Sequence, residues 1–404
     1  MERNKLITIF AIVFVDLLGF SILIPLIPFY AKLFAASDTV VGLLVASYAA
    51  AQFVGAPILG RWSDVYGRRP ILLISILGTV AGFIILGVAN SLWLLFASRV
   101  LDGLTGGNIS VAQAYITDVT DEQNRARGLG MIGAAFGLGF IIGPALGGLL
   151  SAWGATFAGG LNWEFALPAF VAASLAAFNW LGVFLWLPES LTAEERAANR
   201  QRGGAKRGFS FRTLQEALQR PFIGSLLTVR FFYSLAFGLF QTIFPLYALN
   251  RLGLEAAQTA YVLTYVGVLV VLVQGVFIGR LTARYDERRL LFYSTVLMTI
   301  SLLGWAFAPS LLVLLVVLIP LALAGGIFNT VINSALTKAV TREEVGGMLG
   351  LSAALESLTR VIAPSSGGVL IQLLGTAAPG VVGAIITAVL IPYTWRTLMP
   401  RIAA

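Results

Sequence analysis

The chain has 404 residues, of which 58% are hydrophobic and only 11% are charged. Soluble globular proteins carry about 25% charged residues, so this composition excludes a soluble protein and predicts a membrane protein. The net charge of +8 does not indicate nucleic-acid binding, because the basic residues are scattered through short loops between apolar runs. The absence of Cys and His excludes disulfides, thiolate or imidazole metal sites, and Ser–His or Cys–His nucleophiles. We therefore expect no enzyme activity, no metal and no cofactor.

Twelve apolar segments are long enough to cross a bilayer as helices, which takes about 20 residues each. In chain order they are 6–30, 40–60, 71–90, 92–117, 128–152, 163–187, 222–248, 258–279, 290–308, 311–337, 347–373 and 377–397. We therefore predict an all-α, polytopic membrane protein with an N-terminal six-helix bundle at 1–187 and a C-terminal six-helix bundle at 222–404. The polar segment 188–221 is predicted to be a cytoplasmic linker, with candidate short surface helices at 192–202 and 210–219.

Basic residues are distributed unevenly between the loops. With both termini on the cytoplasmic side, 22 of the 27 Lys and Arg residues lie in cytoplasmic loops, and only Lys32 and Arg251 lie in loops on the opposite side. Cytoplasmic loops of membrane proteins carry an excess of Lys and Arg, so the distribution predicts this orientation. The first apolar run has no convincing small-residue cleavage site and is expected to be a retained span.

The second half of the chain repeats the first with a shift of 220 residues. In the stretches 130–150 and 350–370, eight of the 21 positions carry the same residue, including the pairs Pro144/Pro364 and Gly147/Gly367. An internal repeat of this kind is typical of transporters whose site lies where the repeats meet. It predicts two bundles related by a pseudo-twofold axis.

The loop between the second and third spans reads GRWSDVYGRRP. Its residues Gly60, Asp64, Gly67, Arg68 and Arg69 match the Gly-x-x-x-Asp-x-x-Gly-Arg-Arg/Lys signature of the major facilitator superfamily, which the chain resembles. The resemblance implies a gating latch, in which carboxylate and guanidinium groups pair across the two halves when the cytoplasmic side is closed. A positive-inside anchor with a local Asp–Arg pair is the alternative.

The fifth span contains Gly143, Pro144 and Gly147 in the sequence GFIIGPALGG. This sequence matches the Gly-x-x-x-Gly-Pro-x-x-Gly-Gly antiporter signature of the same family at every defined position. Small residues four apart also let helix backbones approach closely, so plain helix packing is the alternative. The first span, in which Asp16 is followed by a Pro-x-x-Pro sequence, resembles that of drug/proton antiporters and especially of tetracycline-type exporters.

Away from their ends, the predicted spans contain six charged residues: Asp16, Arg99, Asp102, Arg230, Glu356 and Arg360. A charge at the bilayer centre costs about 2.5–3.5 kcal/mol on insertion scales, so such residues indicate a functional site. Arg99 and Asp102, at i and i+3, share a helix face and can pair. Asp16 has no basic residue within reach on its own helix. We expect Asp16 to carry a proton, with Arg99 as its counter-charge and Asp102 as a second proton-coupling residue; neutralisation of each carboxylate by a nearby Arg is the alternative.

Polar and aromatic side chains in the spans are the candidates for a substrate cavity. We assign to it Asn108, Gln113, Arg230, Gln241, Phe244, Asn329, Asn333, Glu356 and Arg360. Gln241 and Phe244 precede Pro245, which the 220-residue shift places on Pro25. The two kinked helices are therefore expected to face each other.

The resemblance implies a proton-coupled secondary active transporter that exports small hydrophobic or amphipathic compounds by alternating access, as in multidrug or tetracycline-type efflux. The alternatives are a uniporter or proton symporter for a sugar or other metabolite and, less favoured, a membrane receptor that does not transport. We expect a monomer in the cytoplasmic (inner) membrane of a bacterium. Its expected partners are a small-molecule substrate, protons and membrane lipids, and nucleic acid is not among them.

Overall fold

The computed structural model describes residues 2–120, 122–201, 211–341 and 344–399, and of these it describes the side chains except in 2–7, 122–129 and 211–213. The predicted loop residues 202–210, 342–343 and 400–404 lie outside the described part. The helices are α1 Glu2–Leu23, α2 Ile27–Leu33, α3 Asp38–Tyr66, α4 Arg68–Gly87, α5 Leu92–Thr105, α6 Asn108–Val119, α7 Glu122–Gly154, α8 Trp163–Trp186, α9 Ala193–Gln201, α10 Phe211–Gln219, α11 Pro221–Leu252, α12 Ala256–Leu272, α13 Ile278–Arg284, α14 Glu287–Ala306, α15 Leu311–Lys338, α16 Val345–Leu374 and α17 Ala378–Leu398.

Eleven helical stretches of the described chain are long and apolar enough to cross a membrane. They correspond to eleven of the twelve predicted spans. The remaining predicted span, 92–117, is divided between α5 and α6, whose 14 and 12 residues make each too short to cross alone. Together these two helices extend about 39 Å at 1.5 Å per residue, which exceeds the ~30 Å hydrocarbon core. The prediction of an all-α, polytopic membrane fold is confirmed.

Two adjacent glycines, Gly106 and Gly107, separate α5 from α6. A Cβ on Gly107 would lie 2.8 Å from the Cα of Ala56, and one on Gly106 would lie 2.9 Å from the Tyr48 hydroxyl. Glycine therefore lets the broken helix lie directly against α3. The Gln52 amide of α3 donates to the Gly106 carbonyl at 2.8 Å and satisfies an acceptor at the break.

The first predicted span is also interrupted. α1 ends at Leu23 and α2 begins at Ile27, with Pro25 in the turn between them. Proline lacks the N–H that would continue the helical hydrogen bonds, so a break at this position follows from the sequence. α2 is anchored by Tyr30, whose buried hydroxyl donates to the Ala89 carbonyl at 2.7 Å.

A single π-helical turn, Val273–Phe277, joins α12 to α13 within the eighth span. A π-helical turn closes i→i+5 hydrogen bonds and inserts extra backbone into an α-helix. The side chains of α13 are therefore rotated relative to the positions that a continuous α12 would give them.

The chain forms two compact units, each held together mainly by packing within itself. Unit 1 comprises residues 1–36, 47–208 and 255–264, and unit 2 comprises residues 37–46, 209–254 and 265–404. Each unit thus contains most of one predicted bundle and a short segment from the other half of the sequence. The predicted domain limits at 187 and 222 stay a prediction.

Corresponding helices pack together in the two units. In unit 1, α1 packs against α7, and in unit 2, α11 packs against α16. A Cβ on Gly147 would collide with the carbonyl of Ile22, and one on Gly367 would collide with the side chain of Ile243. The glycines that coincide in the repeat therefore have the same physical role, which is to let two long helices approach closely.

The linker contains two short helices, α9 and α10, near the predicted ranges. α9 starts with a capping box, in which the Thr192 N–H donates to the Glu195 carboxylate at 2.8 Å and the Glu195 N–H donates to the Thr192 hydroxyl at 3.2 Å. The hydrogen bond from the Thr192 backbone holds the pKa of Glu195 below its usual value. α10 packs against the start of α11, where a Cβ on Gly224 would collide with the carbonyl of Leu218.

Candidate functional site

Asp16 lies on α1 beside a small cavity within unit 1. The cavity has a volume of about 10 Å³, enough for about one water molecule, and its polar lining comes from Asp16, Asn108 and Asn179. Oδ1 of Asp16 is buried without a hydrogen-bond partner among the described residues, and the Asn108 side chain lines the same cavity. Among the described residues no Lys or Arg nitrogen lies within 4.0 Å of Asp16. Arg99 forms its ion pair with Asp102 in this structure, and its role as the counter-charge of Asp16 stays a prediction.

Arg99 and Asp102 form an ion pair on α5. Arg99 Nη2 lies 3.3 Å from Asp102 Oδ2, and the two side chains are only 4% and 3% exposed. One helical turn separates them, so their side chains lie on the same face and the short Asp side chain meets the longer Arg side chain. Arg99 thus pairs with Asp102 on its own helix and not with Asp16, because the i, i+3 partner is within reach without any movement of α1.

Two aromatic rings flank the Arg99 guanidinium. Its Cζ lies 5.8 Å from the ring centroid of Tyr48 on α3 and 5.8 Å from that of Phe83 on α4. Phe20 on α1 stacks on Tyr48 with ring centroids 4.7 Å apart. The negative faces of aromatic rings attract a guanidinium, so these contacts hold Arg99 in place at the centre of four helices of unit 1.

Two glycines of α7, Gly139 and Gly143, determine how closely α1 packs against α7. A Cβ on Gly139 would lie 3.2 Å from Leu17 Cβ, and one on Gly143 would collide with the hydroxyl of Ser21. Ser21 Oγ donates across the helix pair to the Gly139 carbonyl at 2.7 Å. The antiporter-like sequence is therefore used here for helix packing, and it fixes the position of the helix that carries Asp16.

A charge network centred on Arg68 lies where α3 ends and α4 begins. Its Nη1 donates to Asp64 at 2.6 Å and to the Ser63 hydroxyl at 2.7 Å, and its Nε donates to Asp118 at 3.0 Å. The Arg68 side chain is only 5% exposed. All these partners belong to unit 1, so the local Asp–Arg pair that the sequence left open is present. The latch across the two halves stays a prediction.

The other residues of the loop signature have local structural roles. Gly60 accepts a hydrogen bond from the Ser63 hydroxyl at 2.7 Å, and Arg69 Nη2 donates to the Phe184 carbonyl at 2.6 Å. Gly67 has a φ of 109°, a backbone conformation that favours glycine. It ends the turn from which α4 starts.

Glu189, which sequence reasoning missed, caps the start of α4. Its carboxylate accepts the backbone N–H groups of Arg68 at 2.9 Å and Arg69 at 3.1 Å. The same carboxylate would collide with a Cβ on Gly67. A negative charge at a helix N-terminus satisfies free N–H groups and complements the helix dipole. The only sequence signal for this contact is an acidic residue directly after a span.

In unit 2, three charged residues and one amide form a second cluster. Both oxygens of Glu356 are paired, Oε2 with Arg230 Nη2 and Oε1 with Arg360 Nη2 at 2.9 Å. Arg230 Nη1 also donates to the Asn329 side chain at 3.0 Å. α11, α15 and α16 therefore meet at one carboxylate shared by two guanidinium groups. Asn333 joins the edge of the cluster through its hydrogen bond to the Asn329 carbonyl at 3.0 Å.

The remaining cavity candidates are dispersed. Phe244 is fully buried against Phe240 and Tyr247, so aromatic packing inside unit 2 covers the ring, and its assignment to a substrate cavity stays a prediction. Gln113 is exposed and Gln241 is half-buried, and neither side chain makes a hydrogen bond with a described residue. Asn108 contributes to the Asp16 cavity in unit 1.

The long apolar helices and the ion pairs within them define a multi-pass helical membrane protein. The model of the Major Facilitator Superfamily matches residues 9–277 and 226–403 of the chain. This protein therefore belongs to the Major Facilitator Superfamily and is a transporter, not an enzyme.

Several proteins resemble this chain over most of its length. The class C tetracycline resistance protein of Escherichia coli is 31% identical over 374 residues, which cover 90% of this chain and 88% of that protein. Solute carrier family 67 member A1 of Homo sapiens is 29% identical over 384 residues, which cover 93% and 88% of the two chains. The crystal structure of the human organic anion transporter MFSD10 (TETRAN) covers 97% of this chain and 99% of its own, with a TM-score of 0.68 and 22% identity. That likeness supports the fold alone.

Proposed function

We propose that this protein is a proton-coupled exporter of small hydrophobic or amphipathic compounds, and that Asp16 carries the coupled proton. The observation that carries the proposal is the environment of Asp16. Its carboxyl group lies within a span, beside a cavity of water size, with one buried oxygen unpaired and no cation in contact among the described residues. Ionisation is costly for such a group unless water or a cation reaches it, so its protonation depends on access. That dependence is what a proton carrier requires.

Asp102 is the second proton-coupling group of the proposal. It is already paired with Arg99, with Arg99 Nη2 at 3.3 Å from Asp102 Oδ2, and it lies on α5 whereas Asp16 lies on α1. Arg99, held between Tyr48 and Phe83, provides the positive charge that faces Asp102.

The similarity to tetracycline resistance proteins supports a drug-like solute and export from the cell. In this proposal the protein lies in the cytoplasmic membrane of a bacterium with both termini inside. A proton enters from outside and neutralises Asp16, and its release inward resets the export cycle. Alternating access is provided by rocking of the two repeats, with the Arg68 network as part of the gate. The transporter acts as a monomer with protons, a small solute and membrane lipids as its partners.

A proton-flux assay in proteoliposomes with an imposed pH gradient tests the proposal. Tetracyclines, lipophilic cations and sugars are added to liposomes that contain the wild type, Asp16→Asn or the control Asp286→Asn, which alters an exposed loop carboxylate. We expect a lipophilic compound to dissipate the gradient with the wild type and with Asp286→Asn but not with Asp16→Asn. The proposal fails if only a sugar moves, which supports a metabolite uniporter or symporter, or if proton-coupled movement survives in Asp16→Asn.

A further inference from the structure

The cluster of Arg230, Glu356 and Arg360 in unit 2 has two positive charges and one negative charge, whereas the Arg99–Asp102 pair of unit 1 has one of each. We infer that Arg360, with Arg230 behind it, binds the anionic group of an amphipathic organic solute, such as an aryl carboxylate. The inference rests on the proposed function only in taking the solute to be a small amphipathic compound.

The described span interiors of unit 2 contain more positive than negative charge. Glu356 is the single acidic residue there, and it neutralises one of the two guanidinium groups, Arg230 and Arg360. Other acidic side chains of this unit lie at helix ends: Asp38 accepts from Asn250, Glu287 binds Lys338, and Glu344 binds Arg220. Among the described residues, one carboxylate is thus shared by two guanidinium groups, and the cluster has a net positive charge.

The two arginines are placed differently. The Arg230 side chain is 6% exposed and is held by Glu356 and Asn329, so it acts as a fixed base of the cluster. The Arg360 side chain is 52% exposed and contacts Glu356 through Nη2 alone. It presents its remaining donors outward, in a planar fork that suits two oxygens of one carboxylate.

The depth of Arg360 excludes contact with a lipid headgroup. It lies about 24 Å along α16, a helix about 45 Å long, and therefore near the middle of the span. A long side chain near a helix end can extend to the membrane interface, but one at the centre has to face protein or water. The exposed Asn329 beside the cluster is a second polar group on this surface. Arg360 therefore faces water from which a solute can bind.

Glu356 sets the strength of this site. Its two oxygens each accept one guanidinium, so it orients both arginines but also reduces the positive charge that an incoming anion meets. The proposal therefore makes opposite predictions for the two members of the pair. Removal of the Arg360 charge weakens anion binding, and removal of the Glu356 charge strengthens it. A purely structural ion pair would make both changes harmful.

Equilibrium binding of radiolabelled 1-naphthoate to the purified, detergent-solubilised protein tests the inference without requiring transport. The neutral 1-naphthamide has nearly the same shape and reports the apolar contribution. The variants are Arg360→Gln, Arg360→Lys and Glu356→Gln, with Arg396→Gln as a control for loss of one exposed Arg near the end of α17. Elution from a size-exclusion column checks that each variant is folded.

We expect Arg360→Gln to weaken naphthoate binding at least tenfold, Arg360→Lys to restore part of it, and Glu356→Gln to strengthen it about threefold, with naphthamide unaffected. Equal binding of naphthoate and naphthamide to the wild type would overturn the inference. So would unchanged naphthoate binding in Arg360→Gln, or weaker binding in a folded Glu356→Gln. If proton coupling through Asp16 fails while these results hold, the proposed function fails and the anion site remains.

Discussion

The hydroxyl of Ser21 on α1 lies in the notch that Gly143 leaves on α7. Its single proton has two acceptors at 2.7 Å, the carbonyl of Leu17 on its own helix and that of Gly139 on α7, so the hydroxyl lies between the two helices. A Cβ at position 143 would lie 2.7 Å from Ser21 Cβ and 2.9 Å from the Ser21 carbonyl carbon. Because one of these atoms is backbone, α1 itself would have to move to accommodate any side chain larger than hydrogen. The helix that carries Asp16 is therefore positioned by a glycine on another helix.

Gly143→Ala is expected to destabilise the protein by about 1–3 kcal/mol, the usual cost of overpacking a well-packed contact. The matched control is Gly133→Ala on the same helix, where a Cβ would meet nothing within 4 Å. Alanine favours a helix over glycine by about 1 kcal/mol, so the control should be neutral or stabilising. Thermal unfolding in detergent, followed by tryptophan fluorescence, measures both changes. Equal effects of the two substitutions would contradict the packing argument.

Glu189→Ala is expected to destabilise the start of α4 by about 0.5–2 kcal/mol, because the Arg68 and Arg69 N–H groups lose their acceptor. Glu189→Gln keeps one acceptor oxygen, so the stability of the start of α4 in this variant should lie between those of the wild type and Glu189→Ala. Hydrogen exchange of the peptide that contains Arg68 measures the local effect. Glu194→Ala, which removes an exposed acid in α9, is the control and should leave this exchange unchanged. Unaltered exchange in Glu189→Ala would show that the cap does not stabilise the helix.

The exposed pair Arg220–Glu344, outside the spans, predicts a pH dependence of stability. Arg220 Nη2 donates to Glu344 at 2.7 Å, and this hydrogen bond holds the pKa of Glu344 below its usual value. A lowered folded-state pKa contributes stability above the unfolded value, and the contribution is lost as the pH falls through the folded value. Wild type should therefore melt slightly above Arg220→Gln at pH 7, and the two should converge in acid.

The same comparison in 1 M salt is the control for this prediction. Both side chains are well exposed, so screening should remove most of the difference in melting temperature at neutral pH. A difference that persists unchanged in acid and in salt would assign it to packing of the Arg220 side chain instead of the ion pair.

Much of the fold could be predicted because it depends on local sequence. A run of about 20 apolar residues forms a helix in a bilayer whatever surrounds it, since the backbone has no other hydrogen-bond partners. The pairing of Arg99 with Asp102 is also local, because one helical turn brings them together. The fourth span was harder: hydropathy does not distinguish a continuous helix from one broken at Gly106 and Gly107.

The parts that could not be predicted depend on contacts between distant segments. The Glu189 carboxylate binds a backbone group 121 residues earlier in the chain. Because this contact is not local, the sequence around Glu189 indicates only the start of a polar linker. An aromatic side chain such as Phe244 can line a cavity or lie in a core. Its burial here depends on the packing of Phe240 and Tyr247 around it, which the sequence does not show. The sequence also does not show that Asn108, at the start of α6, lines the same cavity as Asp16 on α1, because the two residues are 92 positions apart.

The break at Gly106 and Gly107 has a consequence for the geometry of unit 1. The Arg99–Asp102 pair lies on α5, before the break, whereas Asn108 lies on α6, after the break, and lines the cavity beside Asp16. The hydrogen bonds within α5 position the ion pair, and those within α6 position Asn108. The two sets of groups are therefore placed by separate helices and not by one continuous series of backbone hydrogen bonds.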